Sequence, residues 1–190
     1  MNRTLAALMI SVAALSAAPA LAQAAKGPTA VVSPQPLPID DSRPRVFLGG
    51  SIDMGGAPDW QAAMTAALAD MDVVILNPRR PDWNPNWRPE ADEPEFRRQV
   101  EWELAALESA DVIVMYFAPG TQSPISLLEM GLHARGGKLI VLAPEGFWRK
   151  GNVDITAQAY GVKQVQSLPE LTAAVREALS KAAAKGRFAR

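Results

Sequence analysis

The run Asp111-Val112-Ile113-Val114-Met115-Tyr116-Phe117-Ala118, followed by Pro119-Gly120-Thr121-Gln122 and then Ser123-Pro124-Ile125-Ser126-Leu127-Leu128-Glu129-Met130-Gly131-Leu132, reads as strand, loop and helix in immediate succession. Ser123 is placed to N-cap the helix and Pro124 fits its first position, where a missing N–H costs nothing. At about 100° per residue, Ile125, Leu128, Glu129 and Leu132 are expected to share one face. A carboxylate on a buried face is costly unless it is hydrogen-bonded, shifted in pKa or lining a cavity. The cavity reading of Glu129 predicts chemistry; the plainer reading is an exposed or structural carboxylate.

Working outward, the spacing predicts a helix over 95–110 with Phe96, Val100, Leu104 and Leu107 as its apolar stripe. Glu103 projects within about 20° of Phe96, so it is a second carboxylate on an apolar face. Asp72-Val73-Val74-Ile75-Leu76 is a β-branched run without polar alternation that stops at Asn77-Pro78, the pattern of a strand covered on both sides. Arg45-Val46-Phe47-Leu48 opens into glycines, with Asp59 placed to cap a helix to about Asp70. Strands are also expected over 138–143 and 162–166, with a closing helix from Leu168. Five strands alternating mostly with helices imply an α/β fold, a parallel sheet with helices on both faces. Ligands of such sheets sit beyond the carboxyl ends of the strands.

Residues 1–24 have a basic start, an apolar Ala-rich run and small residues suited to cleavage, and are expected to be a signal peptide directing the protein to the periplasm or outside the cell. Residues 25–44 are Pro-rich without hydrophobic period and are expected to be a linker, leaving 45–190 as one folded domain. The chain has no cysteine, which removes disulfides, thiolate nucleophiles and zinc-thiolate sites. Its net charge of -1 gives no electrostatic footprint for a nucleic-acid polymer, and a small-molecule partner is expected instead. No membrane contact is expected after signal cleavage. His133 is the sole histidine, so no histidine metal cluster can form, and neither metal nor cofactor is expected.

The unusual segments nearly all follow strand ends and should meet in one crevice. The loop from Gly49 to Pro58 carries Gly50, Ser51 and Asp53, and could offer backbone N–H groups to an anion or to sugar hydroxyls; it lacks both nucleotide fingerprints. The loop from Arg79 to Pro94 holds Trp83 and Trp87, and a second aromatic and basic loop holds Phe147 and Trp148. Such rings can stack on a flat heterocycle, or serve as core or lid packing.

Gly49-Gly50-Ser51-Ile52, Leu76-Asn77-Pro78-Arg79-Arg80, Asp111-Val112-Ile113 and Ser123 through Glu129-Met130-Gly131 together resemble the nucleoside 2-deoxyribosyltransferase-like family. The resemblance runs from about Arg45 to Tyr160 and includes Phe147-Trp148-Arg149-Lys150-Gly151-Asn152. It implies a flavodoxin-like three-layer sandwich and cleavage of an N-glycosidic bond. Glu129 is then the nucleophile that attacks the anomeric carbon, the glycosyl group passing to another base or to water. Glu103 matches the acidic residue that the family directs at substrate from the preceding helix. Some members carry an aspartate where this chain has Ser123, and serine is a poor general acid near neutral pH. Glu103 or Asp53 is the replacement donor to the leaving base.

On this reading the catalytic pair is Glu129 and Glu103. Gly50, Ser51 and Ser123 hold the sugar or its 5′ substituent, Trp83 or Trp148 covers the base, and Asp53, Asn77 and Arg79 are further substrate-binding residues. The competing expectation is an exported nucleoside- or nucleotide-binding module without turnover, since fold does not guarantee activity. A third is that the aromatic loops join two copies into a homodimer.

Overall fold

The computed structural model describes residues 27–52 and 57–186. The proposed signal peptide, and Asp53 with Gly55 and Gly56, lie outside the described residues. The elements are β1 (Thr29–Val32), β2 (Arg45–Gly50), α1 (Trp60–Ala67), β3 (Val74–Asn77), α2 (Pro94–Ser109), β4 (Val112–Tyr116), α3 (Pro124–His133), β5 (Leu139–Leu142), α4 (Lys150–Tyr160), β6 (Lys163–Val165) and α5 (Leu168–Lys185).

The strands form one parallel sheet in the order β1-β3-β2-β4-β5-β6. Without β1 this is the flavodoxin-like order, in which the chain runs outward on one side of β2 and then returns to build the other side. Alternate residues of the central strands feed two cores. Val46, Leu48, Ile75, Val112 and Val114 pack under α1 and α5. Phe47, Leu76, Ile113, Met115 and Val141 pack under α2, α3 and α4. The β-branched runs are buried on both faces because helices cover both, as a sheet of crossover units requires.

The sheet has six strands where five were expected, and the sixth comes from the stretch read as a linker. Thr29 to Val32 pairs in register with Val74 to Asn77. An edge strand needs a partner on one side only, so Pro28 and Pro34 can bracket it. The rest of that stretch is tied down as well. The Arg45 guanidinium is buried and donates to the carbonyls of Ile39 (3.0 Å) and Asp41 (3.1 Å), while Trp102 Nε1 donates to Gln35 O at 2.7 Å.

Two helices present different faces from those expected. In α2 the buried residues are Gln99, Trp102, Ala106 and Leu107, and Leu104 is 46% exposed. In α3 Ser126, Glu129 and Met130 are buried, while Ile125, Leu128 and Leu132 are 58%, 60% and 61% exposed. The physical reason in α3 is a short polar contact: Ser126 Oγ donates to Gly50 O at 3.0 Å, which turns the helix so that its small residue meets the end of β2. Glu129 therefore sits on the border between the packed face and the exposed apolar stripe.

Candidate active site

The order of the strands puts the topological switch point, beyond which ligands of such sheets sit, at the carboxyl ends of β2 and β4, and the hydrogen bonds there are dense. Gly50 has φ +127°, and a Cβ on it would lie 2.2 Å from Tyr116 O, so only glycine allows β2 to end this close to β4. Ser51, fully buried, follows with its N–H on Tyr116 O at 2.8 Å. Its hydroxyl accepts from Ala118 N at 2.9 Å and lies 2.7 Å from both Thr121 Oγ1 and Ser123 Oγ. Thr121 donates its own proton to Ala118 O at 2.9 Å. A hydroxyl has one proton and two lone pairs, so Ser51 donates to Thr121 and Ser123 donates to Ser51. Ser123 is left with lone pairs only, which suits it to accept from a sugar hydroxyl and not to donate to a phosphate.

Ser123 was expected to cap α3 through its side chain; instead the hydroxyl is spent on Ser51 and makes no capping bond. Its backbone is left-handed, with φ 47° and ψ 49°. That conformation costs a non-glycine residue on the order of 1–3 kcal/mol, a cost that clusters at functional sites. The first turn of α3, with Pro124 at its start, is without a side-chain cap.

Glu129 lies one turn beyond Ser126 and is 8% exposed. Burial, and then the charge of Glu103, push its carboxyl up to about 8. Burial pushes Glu103 up to about 7, while a hydrogen bond from Gln99 Nε2 (2.9 Å) acts the other way by favouring the ionised form. Gln99 is itself fixed: Nε2 also donates to Pro78 O at 3.0 Å, and Oε1 receives the Ser33 hydroxyl at 2.6 Å. The two acids thus form a coupled pair that holds a proton near neutral pH.

The remaining expected residues are distributed around this centre. Asn77 Oδ1 accepts from Arg79 N at 3.0 Å and closes the turn after β3. The Arg79 guanidinium reaches Ala57 O at 3.1 Å, with Pro58 O and Gln61 Oε1 at 3.4 Å, and so clamps the far end of the glycine loop to α1. Trp148 is exposed, its Nε1 donating to Gln122 O at 3.0 Å, which anchors the ring beside the loop that carries Ser123. Arg149 stacks on that ring at 4.1 Å. Trp83 packs edge-on against Trp87 at 5.2 Å, and Arg80, paired with Asp82, lies over Trp87 at 4.8 Å. That loop is therefore a self-packed box, and the Trp83 Nε1 is buried in it without a hydrogen-bond partner.

The structure brings together Gly50, Ser51 and Ser123, with Trp148 beside them, and sets Glu103 close enough for its charge to act on Glu129. Arg79 and Trp83 serve the loops that frame the crevice. Ser33, Gln99, Thr121 and Ser126 were missed by sequence reasoning; Gln99 alone had a local signal, four residues before Glu103 on the same helical face. On the opposite flank of α3 from Glu129, a separate cavity of about 290 Å³ opens toward α4, lined by Leu127, Met130, Arg149, Asn152 and Thr156 among others. Among the described residues no group of three or more metal-ligating side chains is assembled.

Comparison with known proteins agrees with this architecture. A solved structure, described as a conserved protein from Enterococcus faecalis V583, is similar with a TM-score of 0.52 at 12% identity, over 74% of this chain and 99% of that one. At that identity the likeness speaks for the fold alone. No protein with a curated description matches the chain. The family model described as "Nucleoside 2-deoxyribosyltransferase like" matches residues 43–147, which contain β2, the glycine loop, both acids and Ser123. The chain belongs to the nucleoside 2-deoxyribosyltransferase-like family.

Proposed function

We propose that this protein cleaves or transfers the N-glycosidic bond of a nucleoside or nucleotide through a covalent glycosyl ester on Glu129. Family membership supports a nucleoside-related glycosyl-transfer role. The observation that carries the finer reading is the pair of acids, half-buried Glu103 and buried Glu129, in which the charge of Glu103 adds to burial in raising the Glu129 carboxyl.

With one proton on the pair, the reactive arrangement has Glu129 ionised and Glu103 protonated. Burial raises both carboxyls toward neutrality, so moving the proton to Glu103 costs little beside the barrier of glycosyl chemistry. The Glu129 carboxylate attacks C1′, the C1′–N bond breaks, and the Glu103 proton goes to the leaving base. Water or a second base then attacks C1′ and frees Glu129, with Glu103 taking up the incoming proton. A carboxylate nucleophile divides one displacement into two, each with an oxocarbenium-like transition state. Ser123 accepts from a sugar hydroxyl, and Trp148 covers the base. The signal at 1–24 would deliver the enzyme to nucleosides outside the cytoplasm.

Incubating the protein with deoxynucleosides, nucleoside monophosphates and NAD while following free base tests this reading. Base release by wild type that vanishes in Glu129→Gln supports it. Saturable nucleoside binding with no release would instead identify a binding module.

A further inference from the structure

The family-matched segment begins at residue 43, yet the stretch before it reaches the acid pair. β1 adds to the sheet edge beside β3, and Ser33, at its end, donates its backbone N–H to Asn77 O at 3.0 Å. That ladder bond seats the buried Ser33 hydroxyl 2.6 Å from Gln99 Oε1. A side-chain amide has an N–H end and an oxygen end, and its orientation is decided by what surrounds it. Pro78 O can only accept, so it takes the N–H end. Ser33 donates to the other end, and Gln99 Nε2 then faces Glu103 Oε1 at 2.9 Å.

We infer that Ser33 is a positioning residue for Glu103: delivered by an edge strand outside the family-matched segment, its hydroxyl holds the oxygen end of the Gln99 amide, which Pro78 O orients, and so keeps an N–H in place against the carboxyl. An N–H there favours ionised Glu103, whereas an oxygen would favour the protonated acid. The relay therefore works against the protonated Glu103 of the first step and favours the ionised Glu103 that takes up a proton in the second, which deepens the proposed function and rests on it for its catalytic meaning. Among the described residues, the groups that face Glu103 from other elements are few. α3 contributes the acid Glu129. The end of β3 contributes the Pro78 carbonyl and β1 the Ser33 hydroxyl, both through Gln99, and neither of these titrates.

The test reads Glu103 directly and needs no turnover, so its failure is separable from failure of the proposed activity. Carboxyl carbons of the full chain are followed by NMR across pH without substrate, and the Glu103 signal is assigned by its loss in Glu103→Gln. In Gln99→Leu the Glu103 midpoint should rise from about 7 by about one unit or more, as expected when a hydrogen bond to a charged group is lost. Ser33→Ala should raise it by a smaller amount, and Ser33→Thr, which keeps the hydroxyl, should restore the wild-type midpoint. A residue that served only to hold the edge strand would lower the melting temperature in Ser33→Ala and leave the titration where it was. An unmoved Glu103 midpoint in folded Ser33→Ala overturns the inference, and that variant decides if Gln99→Leu does not fold.

Discussion

Ser51 Oγ and Ser123 Oγ lie 2.7 Å apart, joining the end of β2 to the start of α3 at the point where the strand order reverses. The contact explains two departures from ordinary geometry at once. Ser123 tolerates a left-handed backbone because its hydroxyl is held from outside the helix, and α3 starts with no side-chain cap because that hydroxyl is engaged elsewhere. The helix that carries Glu129 is thus fixed at two successive points, Ser123 on Ser51 and Ser126 on Gly50.

Replacing Ser51 by alanine should be costly for so small a change. The buried Ala118 N–H loses its partner outright, while Thr121 keeps only Ala118 O and Ser123 only Thr121 Oγ1 at 3.2 Å. Unfolding in urea should show a loss of about 1–3 kcal/mol, the penalty for an orphaned buried polar group. A loss under about 0.5 kcal/mol, the range of ordinary surface changes, would mean that the hydroxyl cluster does not hold the crevice together.

The acid pair predicts an unusual pH dependence. Both carboxyls are raised in the folded state, to about 7 and about 8 from 4.5, so the folded protein holds their protons more tightly than the unfolded chain. The stability they contribute is complete below pH 4.5 and is lost as pH rises through about 7 and about 8. Asp41, held near 2 chiefly by its hydrogen bond from Arg43, acts below that window. Denaturation at pH 5 and pH 8 should therefore find the protein weaker at pH 8, by on the order of several kcal/mol. Glu103→Gln with Glu129→Gln should flatten the difference, and an unchanged pH slope in the double variant would contradict the buried pair.

The two aromatic loops should separate in kinetics. Trp148 is exposed and anchored beside Ser123 through Gln122, so Trp148→Ala should raise KM severalfold with little effect on the melting temperature. Trp83 packs on Trp87, so Trp83→Ala should lower stability by about 2 kcal/mol or more through lost ring packing. The reverse pattern, with KM moved by Trp83 and stability by Trp148, would exchange their roles.

The parts of the fold legible in sequence were those carrying strong local signals. β2 through β5 are apolar runs punctuated by Gly and Pro, and Asp59 does cap α1, accepting from Ala62 N at 2.9 Å. Glu129 stood out because a carboxylate among Ile, Leu and Met has few inexpensive environments. β1 escaped because four residues between prolines carry little pattern, and an edge position asks for little. The rotation of α3 escaped because it is set by Ser126 meeting Gly50, a contact spanning 76 positions that outweighs the apolar stripe. Ser33 and Gln99 are uncharged and 66 positions apart, and only the parallel pairing of β1 with β3 brings them together.

The central claim is that one carboxylate forms a bond to the sugar, and trapping that bond tests it most directly. The protein would be incubated with a 2-fluorinated deoxynucleoside, which slows release of the glycosyl group, then quenched, digested and analysed by mass spectrometry. The account predicts a fluorodeoxyribosyl adduct on the peptide containing Ser123 to Leu132, localised to Glu129 and absent from Glu129→Gln. Release of free base by wild type with no adduct on Glu129, and at an undiminished rate by Glu129→Gln, would contradict it.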